Sequence, residues 1–189
     1  MTTDTKTNLL NSAERAARRR GFDGFSYADL AADVGITKAS IHHHFASKAA
    51  LAVALMQSYY AKLETACREI DQDHATAAGR LAALITRYRG ALDGGQGLCL
   101  CVSFSTSTES LSAETIAEMD RFRTMMTDWL AEVFALGQTD GTILHVVDPA
   151  VEAAAALPLL EGAQLSARVT QDPQRFDTAI QILSMRLHP

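Results

Sequence analysis

Two lysines sit where a folding helix disfavours them. Lys38 follows Thr37 and Lys48 follows Ser47, and a Thr or Ser ahead of an apolar-periodic run reads as an N-cap. Each ammonium therefore falls in the first turn of a helix, where the macrodipole is already positive. An anion shared between the first amides and the lysine offsets that conflict, and a nucleic-acid phosphate is such an anion. From Lys38 a short helix carries Ala39, Ser40, His42, His43 and, partly, His44 on its outward side, with Ile41 and Phe45 inward. Small and polar groups on such a face suit the major groove of DNA. Three consecutive His do not converge on one ion, because successive helical residues point about 100° apart and helical ligand pairs sit at i, i+4. No metal and no cofactor is expected.

A second set is Leu98-Cys99-Leu100-Cys101, just after Asp93-Gly94-Gly95-Gln96-Gly97. Beside apolar residues, such a pair reads either as two small buried hydrophobes or as a reactive thiol. For the thiol, amides at a starting helix and Arg87 or Arg89 would favour thiolate at Cys99. An i, i+2 disulfide does not fit a helix. A third set is aromatic and Met-rich: Met56, Tyr59, Tyr60, Tyr88, Phe104, Phe122, Met125, Met126 and Trp129. Helical spacing makes it plain core or the wall of a cavity for a neutral or weakly polar ligand.

The elements that position these residues all read as helices. One runs from about Thr7 to Arg20 and ends at Gly21. Ser26 with Asp29 three residues on forms a capping box for a helix that stops at Gly35. Thr37 caps Lys38–Phe45, and Ser47 caps a long helix towards His74. Further helices are expected over about Ala75–Leu92 and from Ser112 to about Leu136, with Gly137–Val147 as a loop. Asp148-Pro149 and Asp172-Pro173 are matching start signals for helices 148–170 and 173–187. Pro158 should kink or split the first of these. Strand signals are weak, so the fold class is all-α.

The 189 residues hold 17 Lys and Arg against 22 Asp and Glu, net −5. Residues 1–50 nonetheless carry seven basic and five acidic side chains, a basic head on an acidic body. No apolar run is long enough to span a membrane, and the first residues lack the pattern of an export leader. Three Cys fit a reducing cytosol.

Residues 9–51 resemble the N-terminal domain of TetR-family transcriptional repressors. The resemblance rests on Leu9-Leu10-x-Ser12-Ala13, Gly21-Phe22, Ser26-x-x-x-Leu30-Ala31-x-x-Val34-Gly35-Ile36-Thr37 and Ile41-His42-x-His44-Phe45-x-x-Lys48-x-x-Leu51. It implies a helix-turn-helix DNA-binding domain over 1–50 and a helical effector-binding and dimerisation domain over 51–189. The implied protein is a cytoplasmic, bacterial-type homodimer that binds a palindromic operator and joins the nucleoid when bound. It implies phosphate contacts from Ser26 and Lys48, and a recognition helix opened by Thr37, Lys38 and Ala39. His42 departs from the family's usual Tyr, and Ala16 and Ala17 from bulkier residues. The Cys-Leu-Cys stretch resembles the branch that senses electrophiles or oxidants. Cys99, Cys101, Tyr88, Phe104, Phe122, Met126 and Trp129 are the candidate effector or redox residues. Helices 148–170 and 173–187 are expected to pair two subunits, with Gly162 allowing close approach and Phe176, Ile180 and Leu183 as anchors. The rival is an all-α carrier or enzyme using Cys99 and Cys101, but no Gly-rich phosphate loop or nucleophile–base set accompanies them.

Overall fold

The computed structural model describes residues 4–188. Among them the chain forms nine α-helices and one short 3₁₀ turn, Thr108–Ser110, and no strand. The helices are α1 (Thr5–Arg20), α2 (Tyr27–Val34), α3 (Lys38–His44), α4 (Lys48–Asp73), α5 (Ala77–Gly90), α6 (Leu100–Ser105), α7 (Ala113–Asp140), α8 (Pro149–Thr170) and α9 (Gln174–Ser184). No helix among the described residues is long and apolar enough to cross a membrane.

Side-chain caps fix most of the starts. Ser26 and Asp29 form the reciprocal capping box, with Asp29 accepting the Ser26 N–H at 2.7 Å. Thr37 accepts the Ser40 N–H at 3.2 Å, Ser47 that of Ala50 at 3.1 Å, and Ser112 that of Thr115 at 3.2 Å. Asp148 accepts from Ala150 and Val151 ahead of Pro149. Such caps supply acceptors for first-turn amides that have none inside the helix. Gly35 ends α2 in the left-handed region, φ 74°, where a Cβ is disfavoured.

Two expected boundaries move. Residues 137–140 belong to α7 rather than to a loop. Gly137 continues the helix because Ile143 folds back against it, about where a side chain would stand; the chain turns at Gly141 instead. Nor does Pro158 split its helix: α8 runs unbroken from Pro149 to Thr170. The ring lies on the exposed side of α8 and displaces nothing packed.

The chain divides into two compact units. The first runs through Ala61 and takes in Leu100–Phe122; the second holds Lys62–Cys99 and everything from Arg123 onward. The first unit's core centres on Leu9, Leu30, Ile41, Leu51 and Leu55. The second centres on Leu81, Leu84, Leu130, Phe134, Leu160 and Phe176, each buried side chain stabilising by about 1.5–3 kcal/mol. There α8 and α9 form the most extensive helix pair. The C-terminal end is tied down by Arg186, which grips Glu152 with two bonds of 2.8 Å.

Candidate functional site

In the first unit, α2, the Gly35 turn and α3 form the helix-turn-helix. Ile41 is sealed inside with Phe45, so α3 turns its other face outward. Lys38, Ala39, His42 and His43 are exposed, and Ser40 and His44 are half-exposed. Ser26, at the start of α2, is exposed as well. The expected set thus lies along α3, its cap Thr37, the α2 cap Ser26 and, with Lys48, the start of α4. His42 packs edge-on against Tyr27, with ring centroids 5.0 Å apart, and its Nδ1 is 3.3 Å from the Ala46 carbonyl. Tyr27 in turn donates its hydroxyl to the Phe45 carbonyl at 3.0 Å. These bonds fix the end of α3.

Lys48 behaves differently from Lys38. Its ammonium donates to the Phe25 carbonyl at 2.6 Å. It also lies 4.6 Å from the Phe22 ring centre and 4.5 Å from that of Phe25. Burial pushes its pKa below the usual lysine value, against the opposing pull of Asp23 and Asp29. The first-turn conflict at this helix is thus relieved from within the chain: a carbonyl and two aromatic faces receive the cation. Lys38 has an exposed side chain at the matching position of α3.

Phe22 meets a further partner, Phe104, with ring centroids 5.3 Å apart. This places α6 against α1, where the Ser103 hydroxyl donates to the Ala17 carbonyl at 2.5 Å. The small residues at α1 explain the fit, since Ala13 and Ala17 are fully buried. Phe104 and Phe122 therefore belong to the first unit, the latter packed on Tyr59 at 5.2 Å.

The other expected effector residues lie in the second unit. Met126 touches Cys67, sulfur to sulfur at 4.0 Å, and Trp129 donates its indole N–H to Asp71 at 3.0 Å. Tyr88 is buried in α5. All three cysteines are reduced and buried. Burial, helped by Asp71, pushes the Cys67 thiol up to about 12. The N–H of Cys99 is itself engaged, donating to Gln164 Oε1 at 2.7 Å. Nor is Arg89 available to a thiolate, because Asp177 holds it with bonds of 2.6 and 3.0 Å.

Phe176, Ile180 and Leu183, expected as anchors between subunits, are buried in their own chain. They form the inner face of α9, which packs on α8 and α5. Gly162 does face outward, with nothing within 4 Å of where its side chain would stand.

Sequence reasoning passed over Gln164 and Glu161. Gln164 is fully buried and bridges the Cys99 N–H and the Tyr88 carbonyl, the latter at 2.9 Å. Glu161 is paired with Arg123 at 2.8 Å. The available signal was two polar residues, three apart, inside an otherwise apolar helix.

Comparison with known proteins agrees with this arrangement. Residues 9–55 match the family pattern of bacterial regulatory proteins, tetR family. Over 187 residues the chain is 25% identical to the HTH-type transcriptional repressor NemR of Escherichia coli K12, covering 94% of this chain and 90% of NemR. A TetR-family transcriptional regulator from Agrobacterium tumefaciens superposes with a TM-score of 0.91 at 27% identity, covering 98% of both chains. The regulator AibR, solved with isovaleryl coenzyme A and operator DNA, gives a TM-score of 0.71 at 26% identity over 97% of this chain and all of that one. The chain is thus similar over nearly its whole length to TetR-family transcriptional regulators, and its residues 9–55 carry that family's N-terminal pattern.

Proposed function

We propose that this TetR-type repressor binds a palindromic operator as a homodimer, and that a small effector acting on the second unit releases it. The observation that carries the DNA half is the exposed face of α3, Lys38, Ala39, His42 and His43, held out by a buried Ile41 and a doubly capped turn. Ser26 and Lys38 serve the phosphates, and His43 faces base edges. Lys48 contributes by fixing the turn, its ammonium being engaged by Phe25.

The homodimer reading is supported by an outward stripe on α8. Val151, Ala155, Pro158, Gly162, Leu165 and Val169 are all exposed, at spacings of four and three that hold one helix face. On α9 Ile182, and just past its end Met185, are exposed too. Two copies of this pair form a four-helix contact of the kind that buries such stripes.

The effector reading takes two forms. A neutral ligand is favoured by the buried, soft side chains of Met126 and Cys67. Modification of a thiol rests on Cys99 and Cys101, which bracket Leu100 at the start of α6. Bulk added there meets a packed interior, which shifts the balance between two dimer geometries.

The test is DNA binding by anisotropy across a salt series, using sequences recovered from a random pool. Lys38→Ala should weaken all sequences about evenly and lower the salt slope by about 0.9, one phosphate contact. His43→Ala should change preference at one or two base pairs. Full affinity and unaltered preference in both variants would remove α3 as the reading helix.

A further inference from the structure

Glu161 is 6% exposed, on the inward face of α8. Its two oxygens have different fates. Oε2 accepts from Arg123 Nη1 of α7 at 2.8 Å. Oε1 is sealed from solvent and accepts no hydrogen bond. A buried acceptor without a donor is costly, and a carboxylate more so. Burial accordingly holds this carboxyl above the usual range, although Arg123 pulls the other way.

Nearby polar groups of the same unit are already committed. Gln164, one turn along, spends its carbonyl on Cys99 and its amide on Tyr88. The Trp129 indole serves Asp71. A second cation is a poor complement, since the Arg123 guanidinium already balances the charge and would repel it. A second anion is worse. What the oxygen lacks is a neutral donor. One turn along α7 from Arg123 stands Met126, against Cys67, and such soft, polarizable groups accommodate an apolar ring.

We propose that Glu161 Oε1 is the acceptor for the hydroxyl of a small, neutral, largely apolar effector of the phenol class. This rests on reading the second unit as the effector-binding half, and it names the chemistry that half recognises. The hydroxyl donates to Oε1, the ring lies among apolar side chains, and Arg123 holds the other oxygen. Because Gln164 sits on the next turn of α8, a ligand drawn to Glu161 acts on the helix that holds the Cys99 amide.

Trp129, the one tryptophan of the chain, reports binding through its emission. The probes are m-cresol, toluene as its counterpart without a donor, benzylamine and benzoate. On the full-length protein, m-cresol should bind saturably, with toluene, benzylamine and benzoate each at least tenfold weaker. Glu161→Leu removes the acceptor and should bring m-cresol and toluene within about twofold of each other. Glu161→Gln retains a carbonyl acceptor and guards against misfolding of the leucine variant; it should keep the preference for m-cresol over toluene. The proposal is overturned by equal binding of m-cresol and toluene, by absence of saturable m-cresol binding, or by an undiminished preference in a folded leucine variant. Operator affinity is scored separately. Binding of m-cresol that depends on Glu161 but leaves DNA bound upholds the site and removes the effector reading. Release of DNA by m-cresol without dependence on Glu161 does the reverse.

Discussion

Two charged side chains carry the residue scale, Lys48 half-buried and Glu161 buried, with different consequences. Lys48 spends its cation on the Phe25 carbonyl and two rings. A charged hydrogen bond is worth about 1.5–3 kcal/mol and each cation–π contact about 0.5–2 kcal/mol. Lys48→Ala should therefore lower the melting temperature by several degrees before DNA is added. Lys38→Ala should leave it within about one degree, because its exposed side chain neither caps the helix nor enters the core, and such positions change stability little. Thermal melts of the two free proteins check this, and equal melting temperatures would remove the pinning role of Lys48. Glu161 sets a pH dependence. Its carboxyl is raised above 4.5 by burial, so the folded state favours the protonated form more than the unfolded chain does. That contribution is complete below about pH 4.5 and is lost as pH rises through the elevated value. Glu161→Gln removes it. As pH rises above about 4.5, the melting temperature of the parent should fall relative to the variant. Parallel pH profiles would show that Glu161 ionises freely.

At the scale of elements, α6 matters most for its size: six residues, five of them buried. An isolated helix that short has no stability of its own, so its neighbours hold it. Ser103 bonds to the last turn of α1 and Phe104 meets Phe22. Ala17→Leu places a branched side chain where α6 lies, and overpacking costs typically about 1–3 kcal/mol. The expected result is a lower urea midpoint, with the loss less severe for Ser103→Ala, about 1 kcal/mol for one hydrogen bond. An unchanged midpoint in Ala17→Leu would mean that α6 does not press on α1 in solution. The sequence makes the caps and the helix-turn-helix legible because those signals are local: Ser26 with Asp29, Thr37 with Ser40, Asp148 with Pro149. It hides what depends on distant partners. The Glu161–Arg123 pair spans 38 positions and the Gln164–Cys99 bond 65. The Lys48 cage was hidden too, since a lysine at a helix start looks the same from sequence whether a phosphate or a carbonyl receives it. Gly137 misled for a related reason: its continuation of α7 depends on Ile143 folding back.

For the whole molecule, the question is what covers α8. Gly162 lies in mid-helix, and an internal glycine costs about 0.5–1 kcal/mol relative to alanine. Nothing inside the chain explains it, because the space where its side chain would stand is open. Close approach of a second helix would. Around it Val151, Leu165 and Val169 are exposed at 64%, 41% and 84%, and apolar stripes of this kind mark contact surfaces. The apolar periodicity of α9 predicted Phe176, Ile180 and Leu183 as the contact, yet these residues are buried within their own chain. An apolar stripe alone does not say whose helix covers it. The two sets of residues therefore make opposite predictions. Leu165→Glu puts a charge at the centre of the exposed stripe without disturbing the core. It should give a helical, cooperatively melting monomer at about 10 μM and lose most operator affinity, since each half-site would then be bound alone. Leu183→Glu buries an unpaired charge and should instead unfold or aggregate. Sedimentation velocity with circular dichroism separates these outcomes. A Leu165→Glu protein that stays dimeric would remove α8 from the contact, and a parent chain that sediments as a monomer would remove the homodimer itself.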